Sequence, residues 1–247
     1  MKKRYFAYLG IYILILFLIV TTILTLAINI AKEKEVIDVN KEIEEKRELP
    51  KYVTKNIFEE KDNVTINLNL PHTNSKKFND KIEVIKNKYL GYIKEEENSK
   101  NNDTNLDLNM TYTVNKYNDN ILSFVIHTEI YLGGAHPNAY IDTVTYDFKK
   151  DKEIYLKDLF GENNTYLNKI SQIAKEKLLK EERIKMYYNK DILENGLIPI
   201  EENFKRFALD NNCIIFFFER YQVAPYVAGE FNVCIELEKL NFNSKLL

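Results

Sequence analysis

The sequence predicts an α+β fold, with one N-terminal transmembrane helix followed by an ectodomain of antiparallel sheet covered by helices. Residues 5–30 contain no Asp, Glu, Lys, Arg or His. Apolar and polar side chains alternate along residues 64–70 and 110–132, which is the period of half-buried strands. Apolar side chains recur at helical spacing in residues 78–89. Paired strands with intervening helices indicate an α+β architecture.

The uncharged N-terminal stretch predicts a membrane anchor. Its 26 residues would span roughly 39 Å as a helix, which exceeds the roughly 30 Å of a hydrocarbon core. Residues 1–4 form a short tail that carries Lys2, Lys3 and Arg4, and the positive-inside rule therefore places the tail in the cytoplasm. A cleaved signal peptide is the alternative, but its apolar region is usually shorter and ends in an A-x-A-like site. We expect a single-pass cell-membrane protein that contacts the bilayer through residues 5–30 and carries its ectodomain outside.

The charge balance limits the partners of the ectodomain. After the anchor, 32 basic residues stand against 37 acidic ones, a net charge of about −5. Nucleic acid is not an expected partner, because its binding depends on neutralising phosphates with a basic surface. A cationic protein could be attracted. The abundance of Lys, Asn, Ile and Tyr, with no Trp, is typical of an AT-rich bacterial genome.

The first part of the ectodomain combines a stalk, a strand, a helix and a hairpin. Residues 31–55 are dense in charge and predict a solvated stalk. A strand over 64–70 precedes the helix of residues 78–89, and the polar, Asn-rich residues 95–107 predict a loop. The hairpin of 110–117 and 121–132 turns at Asn118-Asp119-Asn120. We place the N-terminal α+β half at residues 56–140.

The second half, residues 141–247, repeats the mixture of hairpin, helix and strand. Residues 141–148 and 153–156 predict a hairpin, and an amphipathic helix follows with Leu167, Ile170, Ala174 and Leu178 on one face. A short helix is expected over 201–209. The apolar runs 213–218 and 231–237 predict core strands.

The two cysteines, Cys213 and Cys234, lie in these last two strands. Location outside the membrane permits a disulfide, and neighbouring strands make one geometrically possible. Two buried free thiols are the alternative. A metal site is not expected, because the cysteines lack C-x-x-C spacing.

Two loops carry the candidate ligand-binding residues. The first follows a predicted strand end, where adjacent glycines permit unusual backbone angles and a proline biases the preceding histidine towards an extended conformation. The second is a stiff aromatic loop between the two core strands, and tyrosines are frequent interface anchors. Ordinary turns and capping of the core are the alternative explanations. The candidates are Tyr131, Gly133, Gly134, His136, Pro137 and Asn138 in the first loop, and Tyr221, Pro225, Tyr226 and Gly229 in the second.

The motifs Gly-Gly-Ala-His-Pro-Asn (133–138) and Ala-Pro-Tyr-Val-Ala-Gly (224–229), with Asp158-Leu159-Phe160, resemble a known family. It comprises the paired extracytoplasmic domains of unknown function of bacterial cell-envelope proteins. Among its members are the RsiV-type anti-sigma factor, which senses lysozyme, and the non-catalytic N-terminal part of the PdaC-type peptidoglycan deacetylase. The resemblance covers roughly residues 52–247. It implies an extracytoplasmic binding or sensing module of a Gram-positive envelope, whose ligand is a cell-wall glycan or a lysozyme-like protein. From the four-residue tail and the length of the ectodomain we expect neither the sigma-binding segment nor the deacetylase domain of these relatives.

Enzymatic chemistry is not indicated by the sequence, and we expect neither catalytic residues nor a cofactor. No G-x-S-x-G elbow, P-loop or dinucleotide fingerprint occurs. His127, Glu129 and His136 are the candidate ligands of a zinc site, but a surface pair on a strand explains the first two residues more simply. The alternatives to a binding module are a peptidoglycan-directed hydrolase, in which His136 and nearby carboxylates would act, and a structural accessory of a membrane complex.

Overall fold

A computed structural model describes residues 21–22, 24–32, 34, 52–99, 104–161, 165–240 and 242. The chain divides into two compact units, residues 1–49 and 50–247. In the first unit the described residues are helical, and most of the predicted span 5–30 lies outside the described part. Within that part, no helix is long and apolar enough to cross a membrane. The predicted stalk also lies largely outside the described residues, except that residues 53–55 begin the first strand.

The second unit begins with a six-stranded sheet whose strands lie side by side in chain order. The pairing is antiparallel throughout except between the second and third strands, which are parallel. The expectation of a purely antiparallel sheet is therefore wrong at one place. There the connection is a long crossover helix, the kind of connection that parallel strands require. The strands are β1 (Val53–Lys61), β2 (Val64–His72), β3 (Leu106–Lys116), β4 (Ile121–Tyr131), β5 (Asn138–Asp147) and β6 (Lys152–Glu153).

The crossover helix α1 (Lys76–Ser99) covers one face of this sheet. The backbone N–H of Phe78 donates to Ser75 Oγ at 3.1 Å, which caps the first turn. The helix buries the predicted stripe and one further residue, Ile93, against apolar side chains of β2, β3, β4 and β5. The predicted stripe is Phe78, Ile82, Ile85 and Tyr89. Each such side chain contributes about 1.5–3 kcal/mol on burial.

A three-stranded antiparallel sheet and several short helices form the rest of the unit around a second core. The strands are β7 (Phe207–Leu209), β8 (Cys213–Phe218) and β9 (Phe231–Glu236). The helices are α2 (Leu156–Phe160), α3 (Thr165–Leu178), α4 (Glu182–Met186), α5 (Lys190–Gly196) and α6 (Glu201–Phe204). Apolar side chains of all three strands and of α3 meet in this core, which confirms the predicted helix face and both core strands.

The edge of the small sheet carries a covalent link and an ion pair. Cys213 and Cys234 form a disulfide between β8 and β9, so the alternative of free thiols is wrong. At the end of β9, a backbone hydrogen bond and then the side chains of Lys177 and Lys239 lower the pKa of Glu236 to about 2.

Several predicted boundaries are wrong. The second strand of the hairpin, expected over 153–156, is only Lys152–Glu153, and Leu156 begins α2. The helix expected over 201–209 ends at Phe204, and Phe207–Leu209 form β7. The side chains of Phe207 and Leu209 enter the second core, whereas Ala208 points to the first sheet, which is the alternation of a strand. The loop expected over 95–107 is shorter, because α1 continues to Ser99 and β3 begins at Leu106.

Polar side chains of the large sheet bind the backbone of β7 and so join the two sheets. The N–H of Leu209 donates to Ser123 Oγ at 2.8 Å, and the N–H of Phe207 donates to Thr143 Oγ1 at 3.1 Å. Val125, Ile141 and Ala208 fill the space beside these bonds. Because the two sheets are tied together, the loops at their ends are held in one frame.

Candidate functional site

The loop between β4 and β5 presents a histidine at the end of the large sheet. Gly133 has a φ of +79°, which a residue with a side chain rarely adopts. Residues 134–138 are exposed, and Asn138 begins β5 in register with Ile130 of β4. His136 and Pro137 therefore project from a hairpin whose two strands are both paired.

The loop between β8 and β9, residues 219–230, lies against the loop between β4 and β5. It contains a 3-10 turn, Tyr226–Ala228, that Pro225 precedes and Gly229 ends. Tyr221 has a φ of +67°, an uncommon angle for a residue other than glycine, and Gly229 has one of +79°. The Tyr221 conformation persists only because the surrounding structure holds it, whereas glycine adopts the Gly229 angle without strain.

The two loops meet through Tyr226 and His136. Their rings are stacked, with centroids 4.4 Å apart and planes 25° apart. The Tyr226 hydroxyl lies 2.8 Å from Nδ1 of His136 and 3.1 Å from the carbonyl oxygen of Pro137. The structure thus brings together predicted residues that are 90 positions apart in the chain.

Arg220 completes this arrangement, which we call the loop cluster: His136, Pro137, Arg220, Tyr221 and Tyr226. The Arg220 guanidinium lies 4.7 Å from the centroid of the Tyr226 ring, and its Nη1 donates to the Tyr226 hydroxyl. Its Nε is buried with no hydrogen-bond partner among the described residues. The Tyr221 ring also contacts Tyr226, with centroids 5.4 Å apart and planes 40° apart. The central tyrosine is therefore fixed by cation–π, aromatic and hydrogen-bond contacts.

The aromatic loop is anchored at its C-terminal end by Arg183 of α4. Its guanidinium donates to the carbonyl oxygens of Ala228 at 2.7 Å and Glu230 at 3.1 Å. The same group lies 4.3 Å from the centroid of the Phe231 ring. A Cβ added to Gly229 would stand 3.1 Å from Arg183 Nη1, so the glycine leaves room for the anchor.

The middle of the loop packs closely on α5. A Cβ added to Gly196 would stand 1.7 Å from the backbone oxygen of Gln222, which no real contact allows. The Gln222 side chain donates to the carbonyl oxygen of Asn203 at 2.9 Å. Val223 and Ala224 are buried in the second core.

An ion pair fixes the N-terminal end of the loop to the large sheet. Glu219 pairs with Arg206, and their side chains are only 19% and 20% exposed. Glu219 Oε1 accepts from the N–H of Ile141 at 3.1 Å, and Arg206 Nε donates to the carbonyl oxygen of Ile141 at 2.9 Å. Together the two charged side chains hold both backbone groups of one β5 residue.

The remaining predicted residues lie near the loop cluster but make none of the ring and hydrogen-bond contacts described above. Pro225 and Gly229 shape the turn, and Gly133 and Gly134 form the first loop. Tyr131 ends β4, half-buried and in register with Asp107 of β3. Burial and then the nearby charge of Glu129 raise the pKa of Asp107.

Three charged residues that position the cluster were not singled out from the sequence: Arg183, Arg206 and Glu219. Arg220 was also missed, although it stands directly before Tyr221. An arginine beside two loop tyrosines is a signal that could have identified it, since Arg and Tyr are both enriched among interface anchors. Among the described residues, no group of three or more His, Cys, Asp or Glu could hold a metal ion.

Comparison with known proteins gives two family matches, one after the other along the chain. Residues 57–139 match the family described as deacetylase PdaC, and residues 157–238 match a protein family of unknown function, DUF3298. The peptidoglycan-N-acetylmuramic acid deacetylase PdaC of Bacillus subtilis (strain 168) is 34% identical over 150 residues. That match covers 58% of this chain and 30% of the relative, so this chain spans under a third of the relative's length.

Solved structures share the fold. A DUF3298 family protein from Pseudomonas aeruginosa PAO1 is 14% identical, with a TM-score of 0.59 over 82% of this chain and 98% of that one. A member from Bacteroides fragilis NCTC 9343 is 19% identical, with a TM-score of 0.55 over 78% and 94%. At these identities the likeness is one of fold alone.

Proposed function

Because the chain joins a PdaC-type domain to a DUF3298 domain, we propose that it is a cell-wall-associated binding module. Its loop cluster would hold a wall-targeting protein of the lysozyme kind. The chain would be fixed to the cell membrane by residues 5–30, with the ectodomain outside. The Cys213–Cys234 disulfide supports such a location, because disulfides persist mainly in oxidising compartments.

The observation that carries the proposal is an aromatic surface that protrudes and is nevertheless held rigidly. Tyr221 is 66% exposed and Val227 is 65% exposed. Arg183 and the bond between Glu219 and Ile141 fix the two ends of the loop, and Arg220 bonds Tyr226 within it. The loop therefore loses little conformational entropy when it binds a partner, and the entropic cost of binding is low. A projecting, preorganised loop suits insertion into the cleft of a partner protein.

Charge also favours such a partner. The ectodomain carries a net charge of about −5, whereas a wall-targeting protein such as lysozyme is cationic. Opposite net charges raise the association rate more than the final affinity. We therefore expect the rate constant for association to fall as salt rises.

A calorimetric titration of the full-length chain with lysozyme at about 0.15 M salt tests the proposal. We expect saturable binding with a dissociation constant in the micromolar range or tighter. Tyr226→Ala should weaken it by about 2 kcal/mol or more, roughly thirtyfold, because the residue is the centre of the cluster. Tyr155→Ala, at an exposed tyrosine on another surface, is the matched control and should leave the affinity unchanged.

The alternatives give different results. Turnover of peptidoglycan fragments that stops with His136→Ala would instead establish a hydrolase. No heat from a folded chain, or equal weakening by both tyrosine variants, would contradict the proposed contact surface.

A further inference from the structure

The strand β1 forms one edge of the large sheet. It is terminal in the sheet order, and among the described residues only those of β2 pair with it. The pairing runs from Val53 opposite His72 to Lys61 opposite Val64 without a bulge, and eight of the nine strand residues are exposed. Natural edges are usually short, interrupted by a proline or a bulge, or covered. This long and regular edge therefore offers a row of backbone donors and acceptors to a further strand.

Charged side chains also protect natural edges, and β1 carries four of them: Lys55, Glu59, Glu60 and Lys61. Within the part of the chain that the structure describes, none of the four has an ion-pair partner. Opposite charges that face each other across two strands attract, and like charges repel. A strand with both signs of charge is therefore repelled by a second copy of itself in some registers and attracted in others.

Strand geometry leaves few registers for antiparallel pairing of β1 with its own copy. The backbone N–H and C=O groups point outward at every second residue, so the two-fold axis must pass through a residue. An axis at Ile57 pairs all nine residues of the strand and places Lys55 opposite Glu59 twice. An axis at Asn56 gives no ion pair, and an axis at residue 55, 58, 59 or 60 places like charges opposite each other. The charges of β1 therefore favour the register that pairs the whole strand.

The apolar side chains of β1 fit the same register. Ile57 packs at the margin of the core beneath α1, and an axis at this residue places it opposite its own copy. Phe58 is 66% exposed and lies on the other face of the strand, because successive side chains alternate. In this register the two copies of Phe58 are diagonal neighbours, about 7–8 Å apart and within reach of aromatic rings. Pairing with a second copy would therefore bury an exposed phenylalanine.

We propose that two copies of this chain pair through β1 into a symmetric dimer, with Ile57 on the two-fold axis. The two six-stranded sheets then form one continuous sheet. The pairing adds roughly eight to ten backbone hydrogen bonds, as many as a typical protein interface has. The partner is a second copy because the charges of β1 complement the strand itself. The dimer is independent of the protein partner proposed above, since no residue of the loop cluster lies in β1.

Disulfide trapping tests the register. Ile57→Cys brings two thiols together at a Cα–Cα separation of about 4.5–5.5 Å, which is within the range of a disulfide. Under mild oxidation the full-length variant in neutral detergent should form a covalent dimer, while Cys213 and Cys234 are already paired with each other. Val53→Cys is the matched control on the same face of β1. It should stay monomeric on a non-reducing gel, because its copy would lie roughly 26 Å away.

Charge reversal tests the ion pairs. Sedimentation equilibrium of the full-length chain in the same detergent should show reversible dimerisation. Lys55→Glu should raise the dissociation constant by at least about tenfold, since two contacts between like charges replace two ion pairs. The double variant Lys55→Glu with Glu59→Lys restores both pairs, so its constant should return to within about threefold of the natural value. Denaturant midpoints establish that each variant is folded, and both residues are exposed, where substitution is tolerated.

Three results would overturn the inference. One is a folded chain that stays monomeric at every concentration. Another is dimerisation that Lys55→Glu leaves unchanged or that the double variant fails to restore, which would place the contact elsewhere in the chain. The last is trapping of Val53→Cys as readily as Ile57→Cys, which would contradict the register. Failure of lysozyme binding would leave the dimer untouched, because the two surfaces have different variants.

Discussion

Removal of the Glu219 carboxylate should destabilise the joint between the two sheets. In Glu219→Ala, the Arg206 guanidinium loses its counter-ion and the N–H of Ile141 loses its acceptor. Breaking a buried ion pair by removing one partner costs about 3–5 kcal/mol. Because both side chains are about one-fifth exposed, we expect the lower end, about 3 kcal/mol. For a domain of this size, that corresponds to a fall in Tm of roughly 6–12 °C.

The assay is guanidinium chloride unfolding of the full-length chain, with the midpoint and the slope fitted separately. Glu219→Gln is the matched control. Its amide oxygen can still accept from Ile141, so its loss should be clearly smaller. Combination of Glu219→Ala with Arg206→Met should cost less than the sum of the single variants by about 1–3 kcal/mol. A loss under about 0.5 kcal/mol for Glu219→Ala, or strict additivity in the double variant, would refute the reasoning.

Three further predictions concern stability. Gly196→Ala should destabilise the fold by more than about 2 kcal/mol, because the added Cβ would clash with the backbone of the loop at Gln222. Gly91→Ala in α1 has open space around its Cβ and should stabilise the fold by up to about 1 kcal/mol. Denaturant midpoints of the two variants that move in the same direction would contradict this. Reduction of Cys213–Cys234, which are 21 positions apart, should lower the free energy of unfolding by about 3 kcal/mol, and a Tm unchanged by reductant would argue against it. Glu236 has a lowered pKa of about 2, so its contribution is complete above about pH 5 and is lost as the pH falls towards 2. The stability difference between the natural chain and Glu236→Gln should shrink over that range, and a difference independent of pH would disprove the assignment.

Elements with a regular apolar period could be predicted from the sequence. The half-buried alternation expected for β4 is wrong, because its residues 121–126 are buried on both faces. The stripe of α1 from Phe78 to Tyr89 and the alternation at the start of β3 each depend on neighbours within one element. Period alone is enough there, because it fixes which side chains face the core. The short strand β7 could not be predicted in the same way. Phe204 and Phe207 are spaced as on a helix. Residues 207–209 are instead a strand because they pair with β8, and the bonds to Ser123 and Thr143 hold that strand against the large sheet.

The candidate site was predictable in its loops but not in its contacts. Gly133, Pro137, Pro225 and Gly229 mark where the chain turns, since each restricts or frees the backbone locally. The stacking of Tyr226 on His136 depends instead on how two sheets are joined across 90 positions. The charged residues that hold the aromatic loop in place also act across long separations in the sequence. No spacing rule relates Arg183 of a short helix to a carbonyl 45 positions later.

The most direct test of the proposed contact surface is hydrogen–deuterium exchange of the full-length chain with and without lysozyme. If the loop cluster holds the partner, lysozyme should slow exchange in residues 133–138 and 219–229. Tyr226→Ala should remove that protection without changing exchange in the core strands. Protection confined to other surfaces, or none at lysozyme concentrations that saturate the chain, would contradict the account.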